Sequence, residues 1–227
     1  MIQFIIARDA GMIETLILVS TRHPSPSHSR AVAVIAHLTR HPRNSHELVF
    51  HYGSLLPALQ SAVGSPDKEA RRYAVCALQN LSIDKSCRAP VAHSPNVIWS
   101  LTQRCMDASD EEYETRTAAM ATLQNLSDEP ANVIQFTIVE NCIDTLFRVA
   151  SADSMTGDET DLLCFMAKNT LATLSHWFRK IATGGAEQGR LIEIASSGGR
   201  GGMTSSSNNR AFLHNATLNP TFYELWS

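Results

Sequence analysis

Apolar residues recur at helical spacing in four places along this chain. Each place carries a small residue followed by two larger aliphatic residues at offsets of four and seven, so all three lie on one face of a helix. Because alanine lets a neighbouring helix approach closely, the pattern predicts four helices that pack on a shared core. The four sets are Ala31, Ile35 and Leu38; Ala74, Leu78 and Leu81; Ala119, Leu123 and Leu126; and Ala167, Leu171 and Leu174.

The four sets are spaced as structural repeats. Their last apolar residues lie at 38, 81, 126 and 174, so the intervals are 43, 45 and 48 residues. Intervals of this size stand at the long end of the range that helical repeats use. The two middle copies are nearly the same in sequence, RRYAVCALQNLS at 71–82 and TRTAAMATLQNLS at 115–127.

A second register runs beside the first. Fifteen residues after Leu38, Leu81 and Leu126 come Gly53, Asn96 and Asn141, and Gly11 holds the equivalent place before the first set. Glycine and asparagine tolerate the left-handed backbone that ends one helix and turns sharply into another. Each repeat is therefore predicted to hold a short first helix, the turn, a second helix and a longer third helix that carries the apolar set.

Start signals for two of the third helices can be read from the sequence. Ser65 followed by Pro66 fits an N-cap with proline at the first helical position. Ser109 with Glu112 fits a capping box. These signals predict third helices that begin near residues 66 and 110.

The segments AVCALQNLS and AAMATLQNLS are similar to the third helix of the armadillo repeat. Repeats of that family contain a turn glycine, then I-x-x-L, then a third helix that ends A-x-x-A-L-x-N-L-S. The resemblance covers about residues 2–180. It implies an all-α, right-handed solenoid of about four three-helix repeats whose third helices line a concave face. A two-helix array of the HEAT type is the alternative fold.

Composition divides the chain into three parts. Residues 1–183 are predicted to form the armadillo-like repeat domain, residues 184–211 a Gly/Ser-rich linker that includes GGRGGMTSSSNN, and residues 212–227 an apolar C-terminal segment. No polar capping unit precedes the first repeat, which favours a place in a longer repeat array. The linker also motivates a hypothesis that the C-terminal segment engages the concave face as an autoinhibitory partner.

The resemblance implies that the concave face binds an extended peptide of a partner protein. The family's groove residue is the asparagine of L-x-N-L, which falls on Asn80 and Asn125, with His37 and Thr173 in the same register. An amide offers a donor and an acceptor to the peptide main chain. The alternative interpretation is that both asparagines brace neighbouring turns inside the solenoid. The other groove candidates lie one or two turns earlier: Asn169, Arg72 and Thr117.

The residue one turn before the groove asparagine indicates which kind of peptide the concave face binds. Importin-α proteins place tryptophan one turn before the groove asparagine, whereas this sequence has Cys76 and Ala121 there. This departure disfavours binding of classical nuclear signals. A fragment of a nuclear transport adaptor therefore ranks only as an alternative function.

Charge gives little support to nucleic acid or membrane as partners. The formal net charge is −3 and the pI about 6.3, so no global attraction to polyanions follows. Arg71, Arg72 and Arg116, with Arg200 in the tail, motivate a nucleic-acid-binding alternative, but the acidic run from Asp107 to Glu114 opposes it. No apolar stretch reaches spanning length, and we expect a cytoplasmic or nuclear protein.

Motifs for catalysis, metal or cofactor are not found in the sequence. The five cysteines contain no C-x-x-C pair, and no carboxylate completes a ligand set with His37 and His41. Neither a G-x-S-x-G elbow nor a Walker loop occurs. The sequence thus predicts no enzyme and no cofactor, but a protein–protein interaction scaffold that binds an extended peptide.

Overall fold

The computed structural model describes residues 9–22, 25–106, 112–152 and 158–183. These residues form eleven α-helices, a 3-10 turn at Pro130–Asn132 and no strand, which confirms the all-α prediction. The predicted linker and C-terminal segment lie outside the described residues. The helices are α1 Ala10–Ser20, α2 Pro26–Thr39, α3 Pro42–His51, α4 Leu55–Val63, α5 Lys68–Ile83, α6 Lys85–His93, α7 Val97–Cys105, α8 Tyr113–Ser127, α9 Val133–Ile138, α10 Cys142–Ala150 and α11 Asp158–Thr183.

The chain divides into two compact units, Met1–Leu126 and Ser127–Ser227. In the first unit, helices that hold the same place in the sequence pattern pack on each other. The third helices α2 and α5 are in contact, as are the first helices α3 and α6 and the second helices α4 and α7. In the second unit, α10 packs on α11 and α9 contacts both.

The apolar stripe of each third helix is buried as predicted. The four sets lie on α2, α5, α8 and α11, and none of their twelve side chains is more than 4% exposed. The alanines at 74, 119 and 167 are fully buried, as close helix approach requires. None of the helices in the described ranges combines the length and apolar character needed to cross a bilayer.

The predicted left-handed turns are confirmed at the asparagines and wrong at the glycines. Asn96 has φ 61° and Asn141 has φ 60°, each immediately before a second helix. Gly11 instead lies in the first turn of α1, because Asp9 caps that helix by accepting from the Met12 backbone N–H at 3.1 Å. Gly53 turns without a left-handed φ.

The N-cap predicted at Ser65 is also wrong, by two residues. Helix α5 begins at Lys68, and its cap is Asp67, whose Oδ1 accepts from the backbone N–H groups of Glu69 and Ala70 at 2.9 and 3.4 Å. A carboxylate at this position satisfies orphan donors and complements the helix dipole. Ser65 accepts from the Asp67 backbone N–H at 3.1 Å, so it orders the approach to the cap. Ser109 lies outside the described residues.

The two kinds of turn should respond in opposite ways to alanine. Asn96→Ala places a β-carbon in the left-handed region and should lower the free energy of unfolding by about 1–2 kcal/mol. Asn96→Gly is the matched control and should cost less. Gly53→Ala should be neutral or stabilise by up to about 1 kcal/mol, because its β-carbon would meet nothing within 4 Å. Urea denaturation of the three variants measures these differences, and a large loss for Gly53→Ala would contradict the turn geometry.

Candidate functional site

Asn80 joins the third helix α5 to the end of the preceding third helix. Its Nδ2 donates to the Ala36 carbonyl oxygen and to Oγ1 of Thr39, both at 3.2 Å. The Thr39 hydroxyl donates in turn to the Ala36 carbonyl at 2.8 Å. The amide therefore satisfies carbonyl and hydroxyl oxygens at the C-terminal end of α2, where helical acceptors have no partner within the helix.

Asn125 makes the equivalent contact one repeat later. Its Nδ2 donates at 3.0 Å to Oγ of Ser82, at the C-terminal end of α5. The Ser82 hydroxyl donates to the Gln79 carbonyl at 2.7 Å, so its oxygen can only accept from Asn125. The asparagine of one L-x-N-L-S motif thus binds the serine or threonine that ends the preceding motif.

These contacts fix which way each amide faces. Because the partners of Nδ2 act as acceptors, the side-chain oxygen of both asparagines is turned away from the bracing contact. Within the described part of the chain, Oδ1 of Asn80 and Oδ1 of Asn125 accept no hydrogen bond, and neither is among the buried polar atoms that lack a partner. The bracing and groove interpretations are therefore compatible, since they use different atoms of the same amide.

The positions one turn earlier are small and partly open. Cys76 and Ala121 are half-buried, and so is Thr117 a further turn back on α8. Among the described residues, the buried Oγ1 of Thr117 has no hydrogen-bond partner. Burial raises the pKa of the Cys76 thiol, although Arg72 and Arg40 oppose this shift. The thiol therefore stays protonated at neutral pH.

Arg72, predicted as a groove residue, is held by two glutamates. It donates to Oε2 of Glu69 at 2.9 Å and lies 3.6 Å from Oε2 of Glu114 on α8. Its guanidinium also lies 4.6 Å from the centre of the Tyr73 ring. The hydrogen bond to Glu69 raises the pKa of Arg72, so the residue is permanently charged but locally neutralised.

His37, the first residue of the groove register, is exposed on α2. Its ring centroid lies 6.3 Å from that of Tyr73, at 52° between the planes. Five of the predicted groove residues therefore lie in the first unit, on the three third helices α2, α5 and α8: His37, Arg72, Asn80, Thr117 and Asn125.

The other two predicted groove residues belong to the second unit. Asn169 and Thr173 lie one turn apart on α11, and both are half-buried. In the described residues neither side chain makes a hydrogen bond. The register that holds asparagine on α5 and α8 holds threonine here, so α11 lacks the amide at its own L-x-N-L position.

A buried ion pair fixes the start of α8 against α5. Arg71 donates to Oε1 of Glu112, and these side chains are only 17% and 5% exposed. The other terminal nitrogen of Arg71 donates to the carbonyls of Ser65 and Pro66, both at 2.9 Å. One guanidinium thus holds the loop before its own helix and the first turn of the next third helix.

All five cysteines are free; Cys87, Cys105 and Cys142 are buried, and Cys76 and Cys164 are half-buried. Burial raises the pKa of Cys87 to about 11, although the hydrogen bond to Ser86 lowers it. Within the described ranges, no three His, Cys, Asp or Glu side chains come close enough together to hold a metal ion.

Comparison with known proteins gives information on the fold and none on the function. No family model matches the chain, and no curated protein matches it. A solved structure that matches is the crystal structure of an engineered protein from the Northeast Structural Genomics Consortium. It has a TM-score of 0.58 and 18% identity, covering 84% of this chain and 82% of that chain. At this identity the similarity shows the fold alone.

Sequence reasoning missed the partners that orient the site. Thr39 and Ser82 follow directly after the last leucine of two apolar sets, so the repeat itself contained the signal. The pairing of Arg71 with Glu112 had no such signal, because the two residues are 41 positions apart.

Breaking the buried ion pair should be costly. Glu112→Ala leaves the Arg71 guanidinium buried without its carboxylate and should lower the free energy of unfolding by about 3–5 kcal/mol. The control is Glu114→Ala, which removes a carboxylate that is 79% exposed beside Arg72 and should cost under about 1 kcal/mol. Denaturant unfolding measures both. Equal losses would show that Arg71–Glu112 does not anchor α8.

The raised pKa of Cys87 predicts a loss of stability in alkali. The unfolded thiol ionises near pH 9 and the folded thiol near pH 11. Between these values the folded state holds more protons, so the free energy of unfolding falls as pH rises. Cys87→Ala should show a shallower fall between pH 9 and 11 than the unmodified chain. Parallel curves for the two proteins would contradict the assignment.

Proposed function

We propose that this chain is an armadillo-type solenoid that binds an extended segment of a partner protein. The solenoid would contain about four three-helix repeats in a right-handed array. The segment would lie across the third helices α2, α5 and α8. Contacts between equivalent helices in the first unit support the repeat architecture, and the similarity to the engineered protein supports the fold.

The observation that carries the proposal is the pair of unused amide oxygens. Asn80 and Asn125 occupy equivalent places on neighbouring third helices, and their bracing contacts leave Oδ1 without a hydrogen bond in the described structure. A main-chain N–H of an extended peptide is a suitable donor to such an oxygen. Asn125 Nδ2 has one described acceptor, so its second hydrogen is also available to a peptide carbonyl.

Holding the amides in place favours binding. A side chain that is already hydrogen-bonded to the scaffold loses little rotamer freedom when the peptide arrives. Small side chains at Cys76 and Ala121 leave the peptide backbone room to reach the oxygens. The same two residues give less support to a nuclear transport adaptor, which would require tryptophan at these positions.

The alternative of nucleic-acid binding is less well supported by the charges. Two of the arginines that motivated it, Arg71 and Arg72, are paired with Glu112, Glu69 and Glu114. A neutralised guanidinium contributes little to the counterion release that drives binding to phosphate backbones. We place the proposed scaffold role, which is non-catalytic, in the cytoplasm or nucleus, where free thiols stay reduced.

The proposal is tested with peptides selected against the full chain from a displayed library of unstructured sequences. Asn80→Ala with Asn125→Ala should weaken binding of a selected peptide about 30-fold, because each lost hydrogen bond contributes about 1 kcal/mol. N-methylation of single backbone amides in the peptide should give a loss at the residues that donate to the two oxygens. Isothermal titration calorimetry measures both effects.

The matched control separates binding from bracing. Thr39→Val with Ser82→Ala removes the hydroxyl partners and keeps both amides. This pair should lower the free energy of unfolding by about 1 kcal/mol per site, while peptide affinity falls less than in the asparagine double variant. The proposal fails if both double variants lose the same affinity, or if N-methylation has no effect at any peptide position.

A further inference from the structure

Helix α11 carries an apolar patch that no described element covers. Leu162 is 45% exposed and Phe165 is 61% exposed. Leu163, Met166 and Ala167, by contrast, are at most 7% exposed and belong to the buried face of α11. Two large apolar side chains one turn apart on the open face are expected to have a covering partner.

The open face continues along the helix as a narrow stripe. From Leu162 it runs through Phe165, Asn169 and Ala172 to His176, at steps of three and four residues that keep to one side of a helix. The stripe is apolar at its start and polar further on. A segment that mixes aromatic side chains with polar ones would therefore fit it better than a purely apolar one.

The end of this chain has that composition. Residues 212–227 read FLHNATLNPTFYELWS, with four aromatic residues among asparagines and a proline. Proline and two asparagines favour an extended or turning backbone over a helix. The segment carries one glutamate and no lysine or arginine, so charge does not oppose contact with Leu162 and Phe165.

The length of the intervening chain matches the distance to the patch. Phe165 lies about 27 Å from the end of α11 at Thr183, at a rise of about 1.5 Å per residue. For comparison, a Gly-rich coil of 28 residues, the number from 184 to 211, has a root-mean-square length of about 30 Å. Effective concentration is greatest when tether length equals the span, and it then reaches the millimolar range.

We propose that residues 212–227 bind in cis to the Leu162–Phe165 patch of α11. A segment of another protein would then have to compete with a tethered segment of the same chain for the Leu162–Phe165 patch. The proposal goes beyond peptide binding at Asn80 and Asn125, because it concerns another helix and needs no partner protein.

The test uses the full chain and the indole N–H signal of Trp226 in heteronuclear NMR. Three tryptophans give three indole signals, and Trp226→Phe identifies the relevant one. In the unmodified chain this signal should differ from that of the synthetic peptide 212–227. Phe165→Asp should move it to the position of the free peptide. Phe50→Asp, at a phenylalanine on α3 that is 51% exposed, should leave it unchanged.

Other outcomes overturn the proposal. A Trp226 signal already at the free-peptide position in the unmodified chain shows that the segment does not bind. A signal unaffected by Phe165→Asp shows that it binds elsewhere, and one that shifts on dilution shows that a second copy is the occupant. Circular dichroism checks the fold of Phe165→Asp, and Leu162→Ser supplies the same readout if that variant loses helix. Because no partner is added, failure here leaves the Asn80 and Asn125 experiment intact.

Discussion

The arrangement of the helices depends on burial of the small–large–large stripe of each third helix. Ala74, Leu78 and Leu81 are fully inaccessible to solvent. Helix α5 is therefore in contact with α2 on one side and with α4 and α6 on others. The same stripe on α8, Ala119, Leu123 and Leu126, is also fully buried. Burial of such side chains contributes about 1.5–3 kcal/mol each, so no other interaction described here competes with it in setting the fold.

Hydrogen bonds at the edge of the apolar stripe determine how neighbouring third helices align along their length. Packing of alanine and leucine tolerates sliding, whereas the contacts of Asn80 with Ala36 and Thr39 require one register between two helices. The same amide then presents its second polar atom outward. A residue that serves the scaffold in this way can also serve a ligand, and its replacement affects both properties unless its scaffold partners are changed separately.

The parts of the structure that could be predicted are those set by local, periodic chemistry. The stripe at Ala119, Leu123 and Leu126 needs only helical geometry, and the left-handed turns at Asn96 and Asn141 need only the tolerance of asparagine for positive φ. The prediction of left-handed turns was wrong at Gly11 and Gly53, because glycine permits a left-handed turn without requiring one. At these positions other groups determine the backbone, such as the capping carboxylate of Asp9.

The helices that carry the candidate site residues could be predicted, whereas the orientation of the side chains could not. The motif placed Asn80 and Asn125 on neighbouring helices, but the direction of each amide depends on Thr39 and Ser82 in the preceding repeat. The neutralisation of Arg72 depends on Glu114, 42 residues later, which a reading of one helix at a time does not include.

The contacts of Arg71 have a consequence for how the first unit opens. Its guanidinium is bonded at once to the loop carbonyls of Ser65 and Pro66 and to Glu112 at the start of α8. Fraying of α8 at Glu112 would release a constraint on a loop that lies before α5. Amide hydrogens of the capped first turn of α5 and those of the first turn of α8 should therefore exchange with solvent as one cooperative unit, although they belong to different repeats.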